Sequence, residues 1–387
     1  MNFGIVYALL LFFTSSVGLV LHIKNYKSYF LISDLFIAIP AYLFYLPNNI
    51  YWDSIRFSNL LDTMRMYNAT GVLNGLKWGL NYSVYNSQPL DVIYIWLFSF
   101  FNSNNIFFYT TIVLFLFCLS ILILYGMKIV NSSLKSAILT QLSILMIFNI
   151  VFELAGIRNF LAFMLFAAAS YIELNSNNKK VKIICWLCYA VAYLFHPSVL
   201  IFIVFRIILL FNKKSLNKLT GLFCLIYTLF LAGIVSIFDK IPFFYNISSR
   251  IRIYLYGQSG FSTHAGENEI IFTSIILIYL IYELFVAHSL RITKRLNSKY
   301  VTLYHLSMLF TVGSFFSTQI YLRSIMLLLF MSAPIKLMLF DNKLILKNIS
   351  STNQAIELEF YKLGTFAMCI VLFSYWYYVY YSTAFVF

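Results

Sequence analysis

The chain has 387 residues, 61% of them hydrophobic and 10% charged. Soluble globules carry about a quarter charged residues, so this composition excludes one and asks for lipid as the solvent. The formal net charge of +14 does not point to nucleic acid, because the basic residues are spread over short loops, as the positive-inside rule expects of a multi-pass membrane protein.

Apolar runs of roughly 20 residues, each able to cross a ~30 Å hydrocarbon core, recur along the whole chain. The first, Phe3 to His22, lacks a basic lead-in and reads as a retained helix rather than a cleaved signal. Lys24 and Lys27 mark an inner loop, and Tyr29 to Leu46 leads outward. The outer loop at 47–106 mixes Asp53, Arg56, Asp62, Arg65 and Lys77 with many Asn, Ser and Tyr residues. Within it, the apolar stretch Leu90 to Phe101 is too short to span and is expected to be a re-entrant or interfacial helix.

Phe107 to Gly126 returns to an inner loop with Lys128 and Lys135. Ala137 to Leu154 goes out and Phe160 to Leu174 comes back, followed by Lys179, Lys180 and Lys182. Ile183 to Phe195 and Val199 to Phe211 form a pair joined at His196-Pro197-Ser198 and closed by Lys213, Lys214 and Lys218. Leu219 to Phe238 reaches a second outer loop, 239–269, and Ile270 to His288 returns to Arg291, Lys294, Arg295 and Lys299. Tyr300 to Phe316 and Tyr321 to Phe340 make an outer hairpin, Asp341 to Lys362 an inner loop with a short surface helix, and Leu363 to Tyr381 the last span. The expected fold is all-α: one polytopic domain over residues 1–387, with about 12 spans and both termini outside. No internal repeat supports an inverted-repeat transporter.

Five cysteines, including the Cys185/Cys188 pair, sit in apolar runs. They lack both a soluble redox context and further zinc ligands, and read as helix-packing residues. No acidic cluster with metal-ligand spacing appears, and no metal or other cofactor is expected.

Three positive or protonatable residues fall at breaks that face outward. A straight helix from Val181 to Asn212 would be about 48 Å long and would put basic clusters on opposite sides. Pro197 favours a break instead, which places His196 below the outer surface. Arg158 stands between a full span and a short return, and Arg323 follows Ser317-Thr318-Gln319 at the start of its own span. A charge near mid-bilayer costs at least about 2.5–3.5 kcal/mol, so such groups seek a wet cavity or a partner. The bland alternative pairs Arg158 with Glu153 and His196 with a carbonyl. Asp34, Arg206, Glu283 and Lys336 lie close to the inner face, where long side chains are expected to snorkel. In the outer loops, Asp62, Arg65 and Tyr67 fit one face of a short helix, while Arg250, Arg252, Lys240 and His264 make the second loop basic. Trp52, Tyr67, Trp78, Tyr82 and Tyr85 suit sugar faces as well as an interfacial aromatic belt.

Gly156-Ile157-Arg158-Asn159, Leu161-Ala162 and Phe195-His196-Pro197-Ser198 resemble the core signature of the EpsG-like, Wzy-type polysaccharide polymerases. Asp62 with Tyr67, Gln88-Pro89-Leu90 and Tyr321-Leu322-Arg323 resemble that family's first external motif and its late arginine. The resemblance implies a GT-C-like glycosyltransferase of the bacterial plasma membrane. It would act on undecaprenyl-pyrophosphate-linked oligosaccharide at the outer leaflet and make O-antigen, capsule or exopolysaccharide, alongside a chain-length regulator and a flippase. In such a transfer an acceptor hydroxyl attacks an anomeric carbon and a lipid pyrophosphate leaves. Preplaced cations stabilise that leaving group, and arginine's planar fork fits its oxygens. Arg158 and Arg323, with Arg250 or Arg252, are the expected pyrophosphate contacts. His196, or else Asp62, is the expected general base, and Arg65, Tyr67 and Gln88 the expected sugar contacts. A lipid-linked oligosaccharide flippase, an O-antigen ligase and a dolichol-type mannosyltransferase are the competing readings.

Overall fold

The computed structural model describes residues 3–21, 23–43, 53–83, 85–86, 88–148, 150, 156–238, 267–341 and 352–378. Every regular element among them is helical. The helices are α1 (Phe3–Val20), α2 (Tyr26–Leu43), α3 (Asp53–Asn68), α4 (Asn74–Tyr82), α5 (Pro89–Phe98), α6 (Asn105–Val130), α7 (Leu134–Ile147) and α8 (Ile157–Asn175). They continue with α9 (Lys179–Phe195), α10 (Leu200–Ile208), α11 (Lys214–Phe238), α12 (Glu267–Ser289), α13 (Ser298–Gly313), α14 (Thr318–Met331), α15 (Ala333–Leu339) and α16 (Thr352–Trp376).

A helix covers the described part of each apolar run, which makes this an all-helical, membrane-embedded chain. Among the described residues, four helices are long and apolar enough to cross a bilayer: α1, α6, α8 and, from Ile270, α12. That is fewer than the expected 12, and breaks shorten several of the other apolar runs. Helix α7 stops after 14 residues at Phe148, and α9 stops after 17 at His196. The segment 47–106, expected as an outer loop, also differs from expectation. Its described residues hold three helices, α3 to α5, where the sequence singles out one apolar helix and suggests a short polar one. Of the segment expected as a second outer loop, residues 239–266 lie outside the described residues, and Lys240, Arg250, Arg252 and His264 with them.

The chain gathers into two compact units, Met1–Val199 with Ala333–Phe387, and Leu200–Ser332. In the first, α6, α7 and α8 form the centre, with α2 on α6, α9 on α8 and α15 on both α6 and α7. All seven residues of α15 are buried. Helix ends leave backbone groups unpaired, and in a membrane these must be met internally. At the start of α7, Ser133 caps Ser136 N, and Asp341 accepts from Ser133 N at 2.7 Å and from Ser136 Oγ at 3.1 Å. At its end, the Tyr7 hydroxyl donates to Leu145 O at 3.1 Å and Trp376 Nε1 to Ile147 O at 2.9 Å. Neighbouring helices thus complete both ends of α7.

The second unit is built on α11 against α13. A side-chain carbon at Gly313 would lie 2.0 Å from Cys224 O, so only glycine permits this approach. Thr228 Oγ1 donates to Gly313 O at 2.8 Å, and Tyr227 stacks on Phe310 at 4.7 Å.

Charges expected to snorkel do not. Asp34, Arg206, Glu283 and Lys336 are each at most 3% exposed. Depth alone does not decide exposure when a neighbouring helix brings a polar partner. Asp34 Oδ1 accepts from Gln141 Nε2 at 2.8 Å, and Gln141 also reaches Ser120 Oγ at 3.4 Å. Gln141→Leu should therefore cost roughly 1–3 kcal/mol by orphaning a buried carboxyl oxygen, whereas Asp34→Leu with Gln141→Leu should be nearly neutral. Thermal unfolding of the purified variants in one detergent measures both, and equal losses in the two would refute this account of the contact.

Candidate functional site

Three segments far apart in sequence meet around α5. Gln88 precedes it as the N-cap residue, Pro89 sits at its first position, and Asp91 lies in its first turn. Proline needs no amide partner there and a carboxylate suits the positive helix end, so the sequence starts the helix at this point. Arg158, in the first turn of α8, reaches this end. Its Nη1 donates to Gln88 Oε1 and lies 3.6 Å from Asp91 Oδ2. The guanidinium carbon sits 4.2 Å from the Tyr85 ring centroid and 5.9 Å from that of Phe57. The Arg158 side chain is 12% exposed and that of Asp91 2%.

One turn further along α5, Tyr94 stands edge-on to Phe195 at 5.8 Å and shares a hydrogen bond with Thr111 at 2.9 Å. Phe195 ends α9 and is followed by His196. The Arg158 partner Asp91 and the Phe195 partner Tyr94 are thus on adjoining turns of α5, about 4.5 Å apart along the axis.

His196 breaks the helix as expected. It adopts extended backbone at the end of α9, and Pro197–Val199 forms a single 3-10 turn after it. Ser198 N donates to His196 Nδ1 at 3.2 Å, and Ser198 Oγ lies 2.6 Å from the same nitrogen. A backbone amide can only donate, so Nδ1 carries the lone pair and, in the neutral ring, Nε2 carries the proton. In this arrangement the half-buried imidazole presents an N–H at Nε2.

Arg65 and Gln88, expected as sugar contacts, have internal partners. Arg65 donates from Nε to Phe101 O at 2.7 Å and pairs with both Asp62 and Asn104. It clamps α3 onto the loop before α6. Gln88 likewise serves Arg158. Asp62 keeps a well-exposed carboxylate, 59% accessible, beside Arg65. Tyr67 stacks on Trp78 of α4 at 5.4 Å and 18°.

Arg158 has an internal acidic partner, and it is Asp91; Glu153 lies outside the described residues. Asp91 and Phe57 were missed by sequence reasoning, and Tyr85, expected against sugar or at the interface, stacks on Arg158 instead. A carboxylate inside the apolar stretch from Leu90 to Phe101 was the available signal, since an acid at membrane depth implies a partner. Arg323 belongs to the second unit, half-buried on α14, where Tyr321 shares a 2.9 Å hydrogen bond with Ser274 of α12. Arg250 and Arg252 are outside the described residues.

No family model, no curated protein and no solved structure matches this chain.

Proposed function

We propose that this chain is a polysaccharide polymerase of the bacterial plasma membrane, similar to the EpsG-like, Wzy-type enzymes. It transfers a nascent glycan from undecaprenyl pyrophosphate onto the terminal sugar of another lipid-linked repeat unit. The reaction takes place at the outer leaflet, in a GT-C-like bundle of about 12 crossings with both termini outside. A chain-length regulator and a flippase are its natural partners, and the product is O-antigen, capsule or exopolysaccharide.

The observation that carries this reading is the meeting, in one unit, of three separate segments of the resemblance. Gln88-Pro89-Leu90 and Arg158 meet at the start of α5, and Phe195 of Phe195-His196-Pro197-Ser198 packs on Tyr94 one turn further along it. Arg158 is held by Asp91, Gln88 and Tyr85, so its planar fork is positioned in advance and its charge is balanced between turnovers. A lipid pyrophosphate leaving group would take up donors of that fork as negative charge develops. His196, whose Nδ1 accepts from the Ser198 amide, supplies a second donor through Nε2. The base that takes the acceptor proton is then Asp62, whose carboxylate is exposed. Arg323 is the further cation assigned to the pyrophosphate.

Complementation of a deletion strain tests the function. The wild-type chain should restore ladders of lipid-linked polymer, and Arg323→Ala at equal protein level should reduce them at least tenfold. Single repeat units trapped on the inner leaflet of the deletion strain would identify a flippase. Polymer that is made but not transferred to its final acceptor would identify a ligase. Either result removes the polymerase reading.

A further inference from the structure

Helix α4 turns its two faces to different tasks. Gly75 and Gly79 face α3 and α5: Gly75 N donates to Asn68 Oδ1 at 3.1 Å, and a carbon added at Gly79 would lie 2.3 Å from Met64 Cε and 2.7 Å from Val92 Cγ1. The small residues bring α4 close and leave its other face outward. That face carries Asn74, Lys77, Trp78, Asn81 and Tyr82, at the helical spacing of one stripe. Such a stripe is ordinarily apolar. Here it is polar and aromatic, and with Tyr67 and Thr70 of the α3 end it lines a groove of about 670 Å³, a volume within the range of small-molecule sites.

The groove differs from its surroundings in having polar ends not used elsewhere. Among the described residues, the hydroxyls of Tyr67 and Tyr82, the Asn81 amide and Lys77 Nζ make no hydrogen bond or ion pair, while nearby Arg65, Asp62 and Gln88 are all engaged. Tyr67 stacked on Trp78 provides an aromatic wall, and Tyr82 is 75% exposed. Flat rings beside amide and hydroxyl groups suit a pyranose, whose faces are apolar and whose rim is polar. Among the described residues that line the groove, Lys77 alone is charged and none carries a carboxylate. Tyr82 lies three residues before Tyr85, which stacks on Arg158, so the groove ends within about 11 Å of that site along the chain.

We propose that this groove binds a glycan carrying a carboxylate, of the uronic-acid class, with Lys77 pairing the carboxylate and the Tyr67–Trp78 wall receiving a ring face. The inference rests on the polymerase reading for its ligand being a glycan, and it adds that the repeat unit is acidic. A purified protein in neutral-lipid nanodiscs, titrated with tetragalacturonate and with its carboxyl-reduced neutral counterpart, tests it. Wild type and Lys77→Arg should bind the acidic probe at least tenfold more tightly than the neutral one, and Lys77→Glu should lose that preference. Trp78→Ala should weaken the acidic probe further. Equal binding of the two probes, no binding of either, or an unchanged Lys77→Glu would overturn the proposal. Because the readout is binding, a chain that polymerises but shows no preference loses only this inference. One that binds the acidic probe but makes no polymer loses the polymerase reading instead.

Discussion

Arg158→Ala should lower both protein level and polymer output, and adding Asp91→Asn should restore the first without the second. The argument starts from burial. Asp91 is 2% exposed and faces Arg158 at 3.6 Å, so removing the arginine strands a carboxylate away from water. Breaking a buried pair from one side costs roughly 3–5 kcal/mol, enough to unfold much of a marginally stable population. Neutralising Asp91 removes that penalty, and the double variant should accumulate near wild-type level in the membrane. If Arg158 also stabilises the leaving pyrophosphate, the double variant still polymerises at least ~10²-fold more slowly. Full ladders from it would make Arg158 an anchor for α5 and nothing more. Arg158→Lys should fall between the two, since an ammonium keeps the charge but loses the fork and the flat stacking on Tyr85 at 4.2 Å.

Local features of this fold were legible and long-range partners were not. Apolar runs fix where helices form, because hydropathy is a property of consecutive residues; α6 spans the run from Phe107 to Gly126 with little surplus at either end. Proline chemistry placed the break at His196-Pro197, and spacing alone gave the Asp62–Arg65 pair. The partners that decide the site come from elsewhere. Gln88 and Arg158 are 70 residues apart, and Asp34 and Gln141 are 107 apart. Nothing in a window of sequence says that a deep charge will be met by a distant amide instead of reaching for water. For the same reason Arg65 read as a sugar ligand, when Phe101 O and Asn104 take its donors.

Asp91 is the instructive omission. It hides in a stretch whose apolar character drew attention to its length and not to its one acid. An ionisable group in such a stretch is itself a functional signal, and taking it at face value would have matched it with the nearest unexplained cation. The consequence for mechanism is concrete. A cation that waits unpaired in a membrane cavity and a cation held by its own carboxylate have different resting energies, and only the second is stable without ligand.

His196→Gln should keep much of the activity that His196→Ala loses. The bonding around the ring sets this expectation. The Ser198 amide donates to Nδ1 at 3.2 Å and the Ser198 hydroxyl lies 2.6 Å from it, so the lone pair is already occupied and the proton sits on Nε2. A glutamine amide replaces an N–H donor but supplies no basic nitrogen. Alanine supplies neither and should cost about 10²-fold or more, the range seen when one preorganised donor is lost. The pH profile separates the roles independently. A general base stops working once the ring is protonated, so its rate falls as pH drops through the imidazole range, near 6.5 in an unperturbed ring. A donor holds its Nε2 proton in both the neutral and the charged ring, so no fall tied to His196 should appear there. Purified enzyme with lipid-linked repeat units, assayed from pH 5.5 to 8, gives the measurement. A low-pH loss that disappears in His196→Gln, together with a glutamine variant as slow as alanine, would return the base to His196 and release Asp62 from that role.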